Sequence, residues 1–480
     1  VKPIKWVLSA LLIVPAVGIL ALGPRGKRVG KEGGPRPGDV IVDYWEKWTG
    51  KEYEQLQEIV DDFNGSVGRQ KHIYVQLLST SDIEQKTRVA TAAGVPPDIA
   101  GLWDNDTAQF EALDALEPLE DLAAEYGITS ETYKPVYWDA CYFNGHLNAL
   151  ISTPAAVALH YNKRILAENA DALRKAGLDP TRPPATIDEL DRFSVALTVR
   201  SPSGAIERAG FLPLEPDWYR GSIFFWFGAD IWDAKAKKFT LTDPGVIKAY
   251  QWVQSYSKRL GTEAINEFHS GVGTFDSPQN PFLTGMVAME QQGPWMANYI
   301  AHLKPSMSEV HWPMSEDISK PMAERLTNYE WAVAPFPSAV PGQTDVSVCP
   351  FDTFVIPKGA KHKREAFEFI AYVNRQEVME KLCKLHCKNS PLRTVSDDFL
   401  YHHPNPYIGV FEKLASSPNA HHIQITPVLA EAASELDNVI QQIALNKIDP
   451  AVGLAKAQER CQMKYDQFIE RQKLRKGAAK

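Results

Sequence analysis

The chain has 480 residues, 44% hydrophobic and 23% charged, which excludes a disordered chain and allows two or three domains with real cores. A formal net charge of −8 argues against a general nucleic-acid binder, which needs a basic face. The 12 tryptophans exceed a typical complement, and each offers a flat apolar face plus one N–H donor, suited to carbohydrate recognition or to filling a large core.

Lys2 and Lys5 precede the charge-free apolar run 6–22, which reads as an export signal or an uncleaved membrane anchor. Residues 23–38, basic and rich in Gly and Pro, read as a tether. Residues 39–45 (DVIVDYW) predict a first strand. After Thr49-Gly50, residues Tyr53, Leu56, Val60 and Phe63 recur at helical spacing on one face. Residues 72–78 alternate as a second strand, 83–93 form a helix ending at Gly94, and 97–102 enter a third strand. This β-α-β-α-β order implies an open, mostly parallel sheet with a ligand crevice beyond the carboxyl ends of its strands. Trp45, Glu46 and Trp48 sit at one such end, and Trp103, Asp104, Asn105 and Asp106 at another.

Sugars present apolar C–H faces and hydroxyl groups, so a sugar site needs aromatic platforms with carboxylates and amides beside them. Both strand ends supply that mixture, and a third loop, Glu215-Pro216-Asp217-Trp218-Tyr219, repeats it. The alternative is half-buried core for Trp45 and Trp103, and a turn or helix cap for Asp104 and Asn105. Trp226 and Trp232 lie in apolar surroundings and read as core. The stretch PFLTGMVAMEQQGPW at 281–295 predicts a buried strand over 286–289, a Gly293-Pro294 turn and then a helix over 296–303. Trp295, directly after the turn, is either one more core aromatic or a ligand platform. Val428, Ala432, Leu436, Val439 and Ile443 mark one apolar helix face near the C-terminus.

Catalytic signatures are scarce: there is no GxSxG, no P-loop, no HExxH and no paired CxxC. Asp104 and Asp106 would suffice chemically as a glycosidase pair, but alternate residues on one short loop rarely hold a defined separation across a scissile bond. Of the five cysteines, Cys383 and Cys387 share a helix face without further ligands at zinc spacing. The pairs His402-His403 and His421-His422 read as solvated loop residues. Neither a metal nor a cofactor is expected.

AAGVPPDI (92–99), ALHYNKRIL (158–166), RPPATIDEL (182–190), GMVAMEQQGPW (285–295), EWAVAPFPS (330–338), TFVIPKGAKHKREAFEFIAYV (353–373) and NSPLRTV (389–395) follow one another in a single order. They resemble successive segments of the extracellular solute-binding proteins that serve sugar-importing ATP-binding-cassette (ABC) transporters. The resemblance implies an α/β, two-lobe periplasmic-binding-protein fold (type II-like) whose chain crosses a hinge three times, near 152–156, 345–352 and 389–394. It places 39–152 plus 350–392 in a first lobe and 156–345 plus 395–470 in a second. The expected ligand contacts are Trp45, Glu46, Trp48, Trp103, Asp104, Asn105, Asp106, Asp217, Trp218, Tyr219, Trp295 and Asp352. The implied function is a monomeric receptor outside the cytoplasmic membrane that is not an enzyme. It would close on a sugar or oligosaccharide and deliver it to a membrane permease with a cytoplasmic ATPase. The same fold with another polar solute (glycerol phosphate or a polyamine), a carbohydrate-active enzyme, and a sensor subunit for a membrane kinase are the alternatives. The extra stretch 304–328 and the His-, Pro- and Asn-rich region 400–422 depart from the family pattern.

Overall fold

The computed structural model describes residues 34–308, 329–423 and 426–478. The apolar run 6–22, most of the tether and most of the extra stretch 304–328 lie outside them. In chain order the elements that build the site are β1 (Val40–Glu46), α1 (Gly50–Gly65), β2 (Ile73–Ser79), α2 (Ile83–Ala92), β3 (Ile99–Trp103), β4 (Leu150–Pro154) and β5 (Ala158–Asn162). There follow α3 (Pro244–Leu260), α4 (Thr262–Gly271), β6 (Met289–Gln292), α5 (Met296–Leu303), β7 (Trp331–Ala334) and β8 (Phe351–Val355). The C-terminal third adds α6 (Lys363–Val373), α7 (Gln376–Leu385), α8 (Asp397–Tyr401), α9 (Ile408–Ala415), α10 (Leu429–Ala444) and α11 (Pro450–Ala478).

Two sheets result. The first has strand order β2-β1-β3-β8-β4, with β1, β2 and β3 parallel and β8 antiparallel to both of its neighbours. The second sheet, β6-β5-β7, is antiparallel. The helical face read from the sequence closes over the first sheet, where Leu56, Ile59, Val60 and Phe63 of α1 are buried. Asp98 ties two parts of this lobe together, its carboxylate accepting from Asp43 N at 3.0 Å and His362 N at 2.9 Å. Around the second sheet, Trp226 and Trp232 are buried as expected, with Leu436, Val439 and Ile443 of α10 in the same core.

The chain passes from the first sheet to the second between Pro154 and Ala158 and returns between Ala334 and Phe351. These two passages are bonded to each other, Ala155 N to Pro350 O at 2.8 Å and Val157 N to Val348 O at 3.1 Å. A third passage leads from α9 to α10, later than the 389–394 expected, because α8 and α9 stay with the first core.

Three expectations need correction. The strand before Gly293 covers Met289–Gln292, not 286–289, because Glu290, Gln291 and Gln292 are buried despite their polarity and hydropathy alone does not mark them. Not all of 395–470 joins the second lobe: α8 and α9 are held by first-lobe residues. Ser396 N donates to Glu380 at 2.8 Å, Lys384 pairs with Asp398, and the buried Lys134 pairs with Glu412 at 2.8 Å. The histidine pairs are not all solvated either. His403 is buried, bonded to Lys388 O at 3.0 Å and to Asn405 N at 2.9 Å, and His421 stacks on Phe225 with 4.6 Å between centroids.

Candidate ligand site

The carboxyl end of β1 carries Trp45 to Trp48, and strand alternation divides their fates. Trp45 is half-buried against the first core, on the face opposite Tyr44 and Glu46. Glu46 is fully buried; it accepts from Tyr44 OH at 2.6 Å and from Lys47 N at 2.8 Å. Its carboxylate fills the place a side chain would take at position 101 of the adjacent strand, where a Cβ would lie 1.9 Å from Glu46 Oε2, so Gly101 is required. Trp48 is buried edge-on to His386 at 4.5 Å. Glu46 and Trp48 thus shape the floor of the site from within.

Lys47, not among the expected contacts, takes the prominent position. Its Nζ lies 4.3 Å from the centroid of Trp103 and 5.1 Å from that of Trp48, and pairs with Glu46 at 3.2 Å and Asp352 at 3.0 Å. Asp352 on β8 also accepts from Thr153 Oγ1 of β4 and from Lys388 Nζ, each at 2.9 Å. Burial alone would push the Asp352 carboxyl up, but the charges of Lys388 and Lys47 outweigh it and hold the group well below the usual carboxylate range. Lys388 lies 5.5 Å from the Trp48 ring centroid and 5.9 Å from that of Trp295. One buried cluster therefore joins β4, β8 and the segment after α7 to the aromatic rings.

Trp103 is exposed at the end of β3, and the turn Asp104–Asp106 follows it. Asp106 Oδ2 accepts from Trp103 N at 3.4 Å and Asp104 Oδ1 from Asn105 N at 2.8 Å, so both carboxylates also serve the turn. Burial, with the Asp352 charge nearby, pushes the Asp104 carboxyl up to about 7. Burial likewise pushes Asp106 up to about 6. Asn105 is exposed.

The second lobe contributes Trp218 and Trp295. Trp295 caps α5, half-buried, and its indole folds back across Gly293: a Cβ there would meet the ring at 2.3 Å. The Gly-Pro-Trp sequence is explained by that approach, and Asn405 Nδ2 fixes the turn by donating to Pro294 O at 2.8 Å. Trp218, half exposed, is 6.1 Å from Trp295 and 4.6 Å from Phe275, which in turn meets Tyr299 of α5 at 4.4 Å. Its neighbours are committed elsewhere: Asp217 pairs with Arg220, and Tyr219 is buried with an unpartnered hydroxyl. Glu290 of β6 is buried, and burial with the nearby Glu215 charge raises its carboxyl well above the ordinary range.

The chain matches the sequence profile of bacterial extracellular solute-binding proteins over residues 47–380. It belongs to that family. Among curated relatives, this solute-binding protein is 23% identical to the maltotriose-binding protein of Pyrococcus abyssi, over 54% of its own chain and 50% of the relative. It is 25% identical to the sn-glycerol-3-phosphate-binding periplasmic protein UgpB of Pectobacterium atrosepticum, over 52% and 54% respectively. The chain thus spans about half the length of these relatives. Solved structures share the two-lobe fold over a greater length. CpMnBP1 with mannobiose bound has a TM-score of 0.70 at 23% identity, covering 88% of this chain and 100% of that one. The sugar-binding protein MalE of Xanthomonas citri has a TM-score of 0.69 at 19% identity, covering 91% and 98%.

In this solute-binding protein the rings come from both lobes, Trp48 and Trp103 from the first, Trp295 and Trp218 from the second. Lys47, Lys388 and Phe275 are the residues that sequence reading missed. Lys47 lies between the expected Glu46 and Trp48, whereas Lys388 and Phe275 carry no local signal. Among the described residues, no group of three His, Cys, Asp or Glu is arranged to hold a metal.

Proposed function

We propose that this solute-binding protein is the extracytoplasmic receptor of an ABC importer, and that it binds a sugar or oligosaccharide between its lobes for delivery to a membrane permease. The observation that carries the reading is the approach of Trp103, Trp48, Trp295 and Trp218 from two lobes around the Lys47–Asp352–Lys388 cluster. Aromatic faces stack on the C–H faces of a pyranose, while Asp104, Asp106 and Asn105 accept or donate to hydroxyls. Contacts made to both lobes at once exist only when the lobes are together, so ligand stabilises that state differentially.

A phosphate ligand such as that of UgpB calls for uncompensated cations. Here Lys47 and Lys388 are matched by two carboxylates, Asp352 and Glu46, which favours an uncharged ligand. The role is capture and release, so a sugar incubated with the protein returns unchanged. A thermal-shift screen tests the reading, since a sugar at about 100 times its dissociation constant adds roughly 2.7 kcal/mol to stability. Indifference to every sugar, with a shift on glycerol 3-phosphate, would overturn it.

A further inference from the structure

Behind Trp218, inside the second lobe, lies a cavity of about 570 Å³, within the size range of small-molecule sites. Its walls are the Glu215–Trp218 loop, α3, α4, Phe275 and the far end of α10. Trp218 is the partition between this space and the inter-lobe site: it lines the cavity and stands 6.1 Å from Trp295. Phe275 continues the aromatic path, held in place by Asn280, whose Nδ2 donates to Phe275 O at 3.1 Å.

The charged groups of the cavity wall are each paired. Glu215 pairs with His269 at 2.7 Å, and Arg220 pairs with Asp437 at 2.9 Å and with Asp217. An ion would disturb these pairs, whereas a neutral polyol can bond to their remaining lone pairs and N–H groups. Asn266 and Gln441, also in the wall, bring amides that donate and accept together, the pairing that vicinal hydroxyls require.

We propose that this cavity is the distal subsite of an oligosaccharide site, so that the receptor prefers chains longer than a disaccharide. The inference rests on the sugar-receptor reading above. A chain stacked on Trp295 passes over Trp218 and places its further units against Phe275, His269 and Asn266.

The test is calorimetric titration of the full chain with two ladders, mannobiose to mannotetraose and maltose to maltotetraose. Two cavity-filling variants at exposed wall positions, Asn266→Trp and Gln441→Trp, are titrated alongside. In the ladder that binds, affinity is expected to rise about tenfold or more beyond the disaccharide. Each variant is expected to abolish that rise while leaving disaccharide affinity unchanged. A parent that binds every length of one ladder equally, or variants that keep the full rise, overturns the subsite and leaves the receptor reading standing. A parent that binds neither these nor any other sugar overturns the receptor reading, and the subsite with it.

Discussion

Trp295 and Gly293 act as one unit, because the indole lies where a Cβ at position 293 would be. Trp295→Ala is expected to cost about 2 kcal/mol of ligand binding, roughly a thirtyfold loss of affinity, with little change in unliganded melting temperature. Gly293→Ala is expected to weaken binding likewise by displacing the ring, and titration of both variants checks the pair. If Trp295→Ala instead lowers stability by the roughly 3–5 kcal/mol of a core tryptophan, the platform assignment fails. Asp104 supplies a pH signature. Its carboxyl is raised from 3.8 to about 7 in the folded chain, so the folded state holds more protons than the unfolded between those values. Stability from this group is therefore full below pH 3.8 and falls as pH rises toward 7. Melting curves should show that decline flattened in Asp104→Asn. A sugar hydroxyl donating to the carboxylate favours its ionised form, so binding at pH 6 should release protons, read by calorimetry in two buffers. Trp103 and Trp295 stood out in the sequence because one ends a strand and the other follows the Gly293-Pro294 turn after one. Glu46 was expected as a ligand contact, whereas the structure buries it against Gly101, a partner distant in sequence that only strand pairing brings near.

The strands that flank two inter-sheet passages meet the segment after α7 through side chains as well as backbone. Thr153 of β4, Asp352 of β8 and Lys388 after α7 form one bonded triad, with 2.9 to 3.0 Å between partners. Removing one partner of a buried pair leaves a charge uncompensated, a loss of about 3–5 kcal/mol, reduced here because Lys47 still faces Asp352. Lys388→Met should therefore lower the melting temperature at neutral pH. The depressed carboxyl of Asp352 adds stability above its ordinary value of 3.8 that is lost as pH falls through its lower folded value. Without Lys388 that folded value rises, so acid unfolding should begin at higher pH; an unmoved acid midpoint would show that the triad is idle. The strands and α1 were readable from period and turn residues. The placement of α8 and α9 was not, because it is decided by polar pairs of Lys134, Glu380 and Lys384 that neither period nor turn residues mark.

The whole molecule is two sheets joined by those passages, and its order of motifs was visible in the sequence because the family's segments recur in register. The contacts between lobes away from the passages were not visible. Lys51 of α1 meets His302 of α5, and Gln472 of α11 donates to Ala112 O at 2.8 Å. Helix α11 is seated in the second lobe by Leu454, Ala457, Cys461 and Tyr465, all buried, and it reaches the first lobe about two turns further on. It is therefore a strut resting on the opposite lobe, and separating the lobes must first break that rest. A receptor's measured affinity is its intrinsic affinity discounted by the fraction of molecules already competent to bind. Gln472→Ala, removing a bond worth about 1 kcal/mol, is expected to widen the unliganded particle in small-angle scattering and weaken binding by up to about fivefold. The strength of capture is then set partly by a glutamine that never meets the cargo, so the chain can be retuned for scarce or plentiful solute without altering a single residue of the cleft.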